Sequence, residues 1–228
     1  MKEVHNEADT ADDILRLSLD SKASVKIDLF SRGGRSWVKV AAADHDFKPQ
    51  ATLTPFGILL PRYQDLFLYF VVSKVTSDFM VDVLEQWWSH NRYRFPKVRT
   101  LLINQDNGPE NHSRRTQLLK RIIGFGQSQG LTIRLAYYPP YHSKYNPIEW
   151  CWGILENHWS GVLLDEIPTA LRFARTMTWH GKHPLVQLIR NSYRKGVTLT
   201  AAEMRRLEGQ VQRLPGLEKW FVDIPPSN

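Results

Sequence analysis

The first regular pattern in the chain is an alternation at residues 15–20. Leu15, Leu17 and Leu19 fall on one face and Arg16, Ser18 and Asp20 on the other, which is the period of a half-buried strand. The apolar face resumes at Val25 and Ile27. Two apolar runs, 54–60 and 66–73, are separated by Pro61-Arg62-Tyr63-Gln64-Asp65 and read as paired strands. The second is rich in the aromatic and β-branched residues that suit a pleated surface (Phe67, Tyr69, Phe70, Val71, Val72). The period then lengthens to that of a helix. Ser77 or Asp78 can cap it, Phe79, Val83, Leu84, Trp87 and Trp88 form its apolar face, and it ends before Phe95-Pro96.

A short apolar run at 101–103 breaks into Gln105-Asp106-Asn107-Gly108-Pro109. A helix is expected over 113–129, a strand over 131–136, and a further helix opening at Asn146-Pro147-Ile148-Glu149-Trp150. Beyond Trp159 the pattern is helical and basic, broken at Gly181-Lys182-His183-Pro184. Leu185, Leu188 and Ile189 suggest a short helix, and Thr200 with Glu203 three residues on predicts the start of another. The Pro-rich end from residue 215 predicts no element. Three strands followed by alternating helices and strands make an α/β layout, with a central mixed five-stranded sheet and helices on its faces.

Composition changes this picture little. A chain of 228 residues, 42% hydrophobic and 11% aromatic, can bury a sizeable core. We divide it into an acidic segment at 1–12, a main domain at 13–160 and a basic, mainly helical extension at 161–228. With no apolar run of membrane-spanning length and a polar start, the protein is expected to be soluble and cytoplasmic. The single cysteine, Cys151, excludes an intrachain disulfide and any multi-cysteine zinc site.

Charge adds more. The net charge of +7 is unevenly spread: residues 111–145 hold six basic residues and no acid, and residues 172–213 hold nine basic residues against two acids. Two basic stretches flanking a pair of carboxylates suggest a polyanion brought to a metal site, although a solvated basic surface has the same composition.

Those carboxylates are Asp106, at the end of a strand, and Glu149, at the head of a helix, with Asp20 on the first strand as a candidate third. Each has an ordinary structural explanation. Asp20 can be a polar-face residue, Asp106-Asn107-Gly108-Pro109 a turn, and Glu149 a first-turn acid behind an Asn146 cap and Pro147. Together they fit phosphodiester chemistry, in which two Mg²⁺ ions about 3.5–4 Å apart clamp the attacking and leaving oxygens. Magnesium takes hard oxygen ligands and keeps several waters, so three carboxylates from different elements suffice. An isolated loop pair, His45-Asp46, is a weaker metal candidate.

Three segments resemble the acidic motifs of DDE transposases: Leu19-Asp20-Ser21-Lys22, Asn104-Gln105-Asp106-Asn107-Gly108-Pro109-Glu110-Asn111, and Tyr138-Pro139-Pro140-Tyr141-His142-Ser143-Lys144-Tyr145-Asn146-Pro147-Ile148-Glu149. They look most like the bacterial Rhodopirellula transposases, distant relatives of mariner-type elements. The likeness includes Phe30-Ser31-Arg32-Gly33-Gly34, His45-Asp46-Phe47, Thr176-Met177-Thr178-Trp179 and Lys182-His183-Pro184.

The resemblance implies a ribonuclease H-like fold and DNA strand cleavage and transfer. It assigns Asp20, Asp106 and Glu149 as ligands of two Mg²⁺ or Mn²⁺ ions and as the catalytic residues. Candidate DNA contacts are Arg114, Arg115, Lys120, Arg121, His142, Lys144, Arg190, Arg194 and Lys195. His142, Lys144 and Asn107 can orient phosphate or water, or serve as packing and capping residues. Tyr137, Tyr138, Tyr141 and Tyr145 can stack on unpaired bases or pack against Trp150 and Trp152.

The expected partners are mobile-element ends and target DNA, with assembly as a homodimer on DNA. Relatives carry an N-terminal helix-turn-helix region, whereas only a short acidic segment of about a dozen residues precedes the first strand here. The chain is therefore expected to be a catalytic portion whose specificity resides in a separate polypeptide or in its basic C-terminal helices. Two other classes remain: a catalytically silent DNA-binding remnant, and a nuclease of the same fold without strand transfer.

Overall fold

A computed structural model of the chain describes residues 1–29, 48–139, 142 and 145–226. Its elements run α1 (Lys2–Thr10), β1 (Ile14–Ser21), β2 (Val25–Ile27), β3 (Ala51–Leu60), β4 (Asp65–Val71), α2 (Ser77–Asn91), β5 (Thr100–Gln105), α3 (Thr116–Gln129), β6 (Thr132–Tyr137), α4 (Ile148–Trp159), α5 (Ile167–Thr176), β7 (Leu185–Ile189), α6 (Ala201–Glu208), β8 (Gln212–Arg213) and β9 (Phe221–Ile224). The strands form one mixed sheet in the order β7-β4-β3-β1-β5-β6-β9-β8, with β2 paired to β3. Strand β1 lies near its middle, antiparallel to β3 and parallel to β5.

The alternation along each strand feeds two cores on opposite faces of the sheet. Leu15, Leu17 and Leu19 of β1, with Phe56, Ile58 and Leu60 of β3, pack beneath α2 and α3. Leu66, Leu68 and Phe70 of β4 point the other way and meet Ile148, Trp152, Leu155 and Trp159 of α4. Helices therefore cover both faces, as the pattern predicts. Among the described residues, no helix is long and apolar enough to cross a membrane.

Among the described residues the sheet has nine strands rather than five. Besides helices α5 and α6, the C-terminal part contributes β7, β8 and β9. The helix expected at Leu185, Leu188 and Ile189 is strand β7, parallel to β4. Leu185 is exposed, and the inward-packing residues include Val186 and Leu188, spaced by two. A helical period would instead set Leu185 on one face with Leu188 and Ile189. At the chain's end, Val222 and Ile224 alternate into the core and β9 pairs antiparallel with β6.

One cap also differs from expectation. Thr76, not Ser77 or Asp78, caps α2, accepting from the Phe79 amide at 3.3 Å; Ser77 instead donates to the Glu110 carbonyl at 2.6 Å. The Thr200–Glu203 capping box of α6 forms as predicted. Within the acidic start, Lys2–Thr10 is helical, and Met1, Val4 and Ala8 lie over Leu102 and Ala136. The irregular stretch with His45 and Asp46 lies outside the described residues.

Candidate functional site

Strand β1 carries Asp20 near its C-terminal end, on the face opposite the leucines. The parallel register with β5 runs from Ile14↔Thr100 to Ser18↔Asn104, and two further residues bring Asp20 level with Asp106, just beyond β5. On the other side of β1, Asp20 pairs with Gly57 of β3. A Cβ at Gly57 would sit 2.5 Å from Ile148 Cδ1 and 2.9 Å from the Trp152 ring. Glycine here is what lets α4 settle onto the sheet. That close approach brings Glu149, in the first turn of α4, toward Asp20.

The mount of α4 is polar and buried. Ser18, two residues before Asp20 on the same face, donates to Asn146 Oδ1 and accepts from the Ile148 amide at 3.1 Å, while Asn146 Nδ2 donates to the Leu19 carbonyl at 3.0 Å. Asn146 therefore does not cap α4 as expected; Pro147 holds the N-cap position and Glu149 the second helical one. The Asn146 side chain is spent on tying the helix to β1. This fixes the spacing between the elements that carry Asp20 and Glu149.

Each aspartate has a fixed donor. Trp152 Nε1 donates to Asp20 Oδ2 at 2.7 Å, and Asn111 Nδ2 donates to Asp106 Oδ1 at 2.7 Å. Gly108 leaves room for the second pair, since a Cβ there would lie 2.8 Å from Asn111 Oδ1 and 3.2 Å from Asp106 Oδ2. Burial pushes the Asp20 carboxyl up to about 7; the Trp152 indole opposes this rise, and the charges of Glu149 and Asp106 add to it. Three carboxylates from three elements thus share one electrostatic environment.

Sequence reasoning missed Gly57, Trp152, Asn111 and Ser18 as parts of this site. Trp152 stands three residues beyond Glu149, one turn along the same helix, and Ser18 shares the polar face of β1 with Asp20. Those spacings were available signals. Nothing in the sequence marked Gly57, because its role depends on which helix lies over it.

A hard divalent cation suits this donor set: carboxylate oxygens, no histidine or cysteine among them, and a half-buried acid whose negative charge its surroundings oppose. Among the described residues, no three of His, Cys, Asp and Glu stand close enough together to hold a metal ion as they are. Open carboxylate sites that leave room for water are the usual habit of magnesium.

The expected DNA contacts fall into separate groups. Arg114 is exposed beside Asp106, in a depression of about 350 Å³ lined also by Asn107, Gly108, His112 and Lys219. Arg115 pairs with Glu110 at 3.2 Å, and Arg121 pairs with Asp78 at 3.1 Å and Asp82 at 2.6 Å. Those two charges are engaged within the protein. Lys120 is exposed near α6, while Arg190, Arg194 and Lys195 are exposed just after β7, the strand that forms one edge of the sheet. His142 is exposed with its ring stacked on Tyr145 at 5.7 Å. Lys144 and Tyr141 lie outside the described residues. Tyr137 and Tyr138 are buried and Tyr145 is exposed, so packing accounts for the first two.

The sequence matches the family described as Rhodopirellula transposase DDE domain over residues 1–226. Among solved structures, the fold is similar to that in a Mos1 transposase paired-end complex with left transposon end, with a TM-score of 0.51 at 7% identity. The match covers 75% of this chain and 49% of that one, so the chain spans about half the length of that transposase. At that identity the likeness is one of fold, a ribonuclease H-like mixed sheet with helices on both faces. No curated protein matches the sequence.

Proposed function

The chain belongs to the Rhodopirellula transposase DDE domain family, and from that premise we propose that it is the catalytic region of a transposase, performing divalent-metal-dependent cleavage and transfer of DNA strands. The observation that carries the proposal is the register that sets Asp20 and Asp106 level at the ends of two adjacent parallel strands, with Glu149 in the first turn of the helix tied to β1 by Ser18 and Asn146; the rise of Asp20 to about 7, chiefly by burial and further by the charges of Glu149 and Asp106, supports it. We assign all three as catalytic metal ligands. When bound, two Mg²⁺ or Mn²⁺ ions would activate the attacking oxygen and stabilise the leaving one.

The remaining roles belong to the chain itself. Trp152 holds one oxygen of Asp20 and Asn111 one oxygen of Asp106, which fixes the orientation of both carboxylates. Ser18 and Asn146 set the height of Glu149 above the sheet. Arg114 and Lys219, beside the Asp106 loop, are placed to neutralise phosphates of an approaching strand. The exposed Lys120, Arg190, Arg194 and Lys195, with His142 and Lys144, extend that contact over the surface. Arg115 and Arg121 contribute less, because their charges are already paired. DNA is the partner we assign, engaged as a homodimer, with end recognition supplied by a separate polypeptide or segment. The structural neighbour, a transposase complexed with a transposon end, supports DNA as that partner.

Incubating the purified protein with supercoiled plasmid and Mg²⁺ or Mn²⁺, beside Asp106→Ala and an EDTA control, tests the reading. Nicking that vanishes in both controls is expected. Salt-sensitive binding without any cutting would instead identify a silent DNA-binding remnant, and cutting without joining of a 3′-hydroxyl end a nuclease.

A further inference from the structure

Among the described residues, the non-glycine positions with left-handed backbone are Gln64 (φ 55°) and His180 (φ 46°), and both line the same cleft. Side chains rarely adopt that conformation, and it persists where surrounding structure imposes it, commonly at ligand sites. Here the imposing contacts are visible. Trp179 Nε1 donates to Gln64 Oε1 at 3.1 Å, and Trp179 and Lys182 exchange backbone hydrogen bonds of 2.8 and 2.9 Å across the His180-Gly181 turn. Lys182 Nζ donates to the Tyr63 carbonyl and to Asp65, each at 2.8 Å. The His180 ring stands edge-on to Trp179, with centroids 4.7 Å apart. Two turns are thereby joined into one rigid aromatic platform.

Facing it across about 690 Å³ are Tyr145, 61% exposed, and Trp150, 70% exposed, at the head of α4. Trp150 directly follows Glu149, yet its exposure serves neither core. Beside these rings the cleft is lined by Pro61, Pro147 and Leu59 and by the Asp9–Arg16 ion pair, closed at 2.6 Å, which leaves little of the aliphatic surface that an amphipathic helix would require. Flat aromatic faces suit a flat aromatic ligand. Inside a duplex the faces of a base are covered by its stacked neighbours, so away from a strand end only a base that has left the stack can offer one.

We propose that this cleft is a stacking subsite for an unpaired nucleobase of the DNA strand held at the carboxylates. The proposal rests on the reading of the chain as a DNA-processing domain. The distance suits it: Arg16 lines the cleft and lies four residues from Asp20 on the same face of β1, ~13 Å away, which is about four base steps along a duplex.

The test compares two otherwise identical duplexes in EDTA, one fully paired and one with a single unpaired 2-aminopurine, binding to wild type, Trp150→Ala and Trp179→Ala. Wild type is expected to prefer the unpaired probe by roughly tenfold and to quench its fluorescence, since loss of one aromatic stack weakens binding by about that factor. In Trp150→Ala, whose side chain is exposed and dispensable for folding, the preference should fall toward one. Equal preference in wild type and Trp150→Ala, with no quenching, would overturn the subsite. So would a fall in molecular mass of Trp150→Ala by light scattering with DNA preference unchanged, which would make the cleft a contact between copies of the chain. If the wild-type protein bound neither duplex and did not nick plasmid, the DNA reading itself would fail; nicking with an unchanged Trp150→Ala removes the subsite alone.

Discussion

At Asp20, ionisation works against the fold. Its pKa is pushed up to about 7 in the folded chain, chiefly by burial, against an ordinary aspartate value near 3.9 when unfolded. Below about pH 4 the carboxyl is protonated in both states and costs nothing. Between about pH 4 and 7 the unfolded chain releases the proton first, so stability falls as pH rises, and above 7 the cost is constant at ~4 kcal/mol as an upper figure. In EDTA, Asp20→Asn should therefore melt higher than wild type at pH 8 and level with it at pH 4. Thermal denaturation at the two pH values measures this. Added Mg²⁺ should raise the melting temperature of wild type but not of the variant, because only wild type binds the ion in its folded form. Gly57→Ala tests the same site sterically. The new methyl would meet Ile148 and Trp152 at 2.5 and 2.9 Å, so α4 must lift, with an expected cost of about 1–3 kcal/mol in urea denaturation and a fall in plasmid nicking larger than the lost stability explains.

Between residue and fold stands the α4 mount, where the sequence pattern was legible only in part. Asn146-Pro147-Ile148-Glu149 announces a helix start, and the helix is there. Which group Asn146 bonds is a tertiary matter: a local cap and a bond to β1 look identical in sequence. In the structure Asn146 accepts from the buried Ser18 hydroxyl and donates to the Leu19 carbonyl, so its side chain serves β1 and not the end of its own helix. Strand β1 and the strand ending at Asp106 were readable from alternation and from turn chemistry. Strand β7 was not, since five residues carry apolar side chains at both helical and extended spacings. Asn146→Ala leaves the Leu19 carbonyl without its side-chain donor in a buried place, at an expected ~1–3 kcal/mol. Because that substitution frees the head of α4, Mn²⁺ affinity by titration calorimetry should also drop. Unchanged affinity beside lowered stability would mean that Glu149 is positioned by other contacts.

On the scale of the whole molecule, the C-terminal third completes the sheet and braces the site. Strand β7 covers the edge of β4, and β9 covers that of β6. In β8, which pairs with β9, Arg213 donates to the Ser113 carbonyl at 2.9 Å and pairs with Glu208 at 2.8 Å. That bond reaches into the segment that follows Asp106, where Asn107 also accepts from the Ser113 amide at 3.3 Å. A division at residue 160 would thus cut through a single hydrogen-bonded sheet, and a fragment of residues 1–160 should lack a cooperative thermal transition. Cooperative melting of that fragment would show that β1, β3–β6 and their helices form an independent unit. Arg213→Ala in the full chain separates bracing from folding. The guanidinium is not a core group, so the melting temperature should fall by only a few degrees, about what ~1 kcal/mol produces in a chain of this size. The Ser113 carbonyl, however, loses its donor, and the Asp106 loop loses its link to the C-terminal strands. Weaker Mn²⁺ binding with little loss of stability is the expected outcome, and equal binding in the two proteins would place the rigidity of that loop in Asn107 and Asn111 instead.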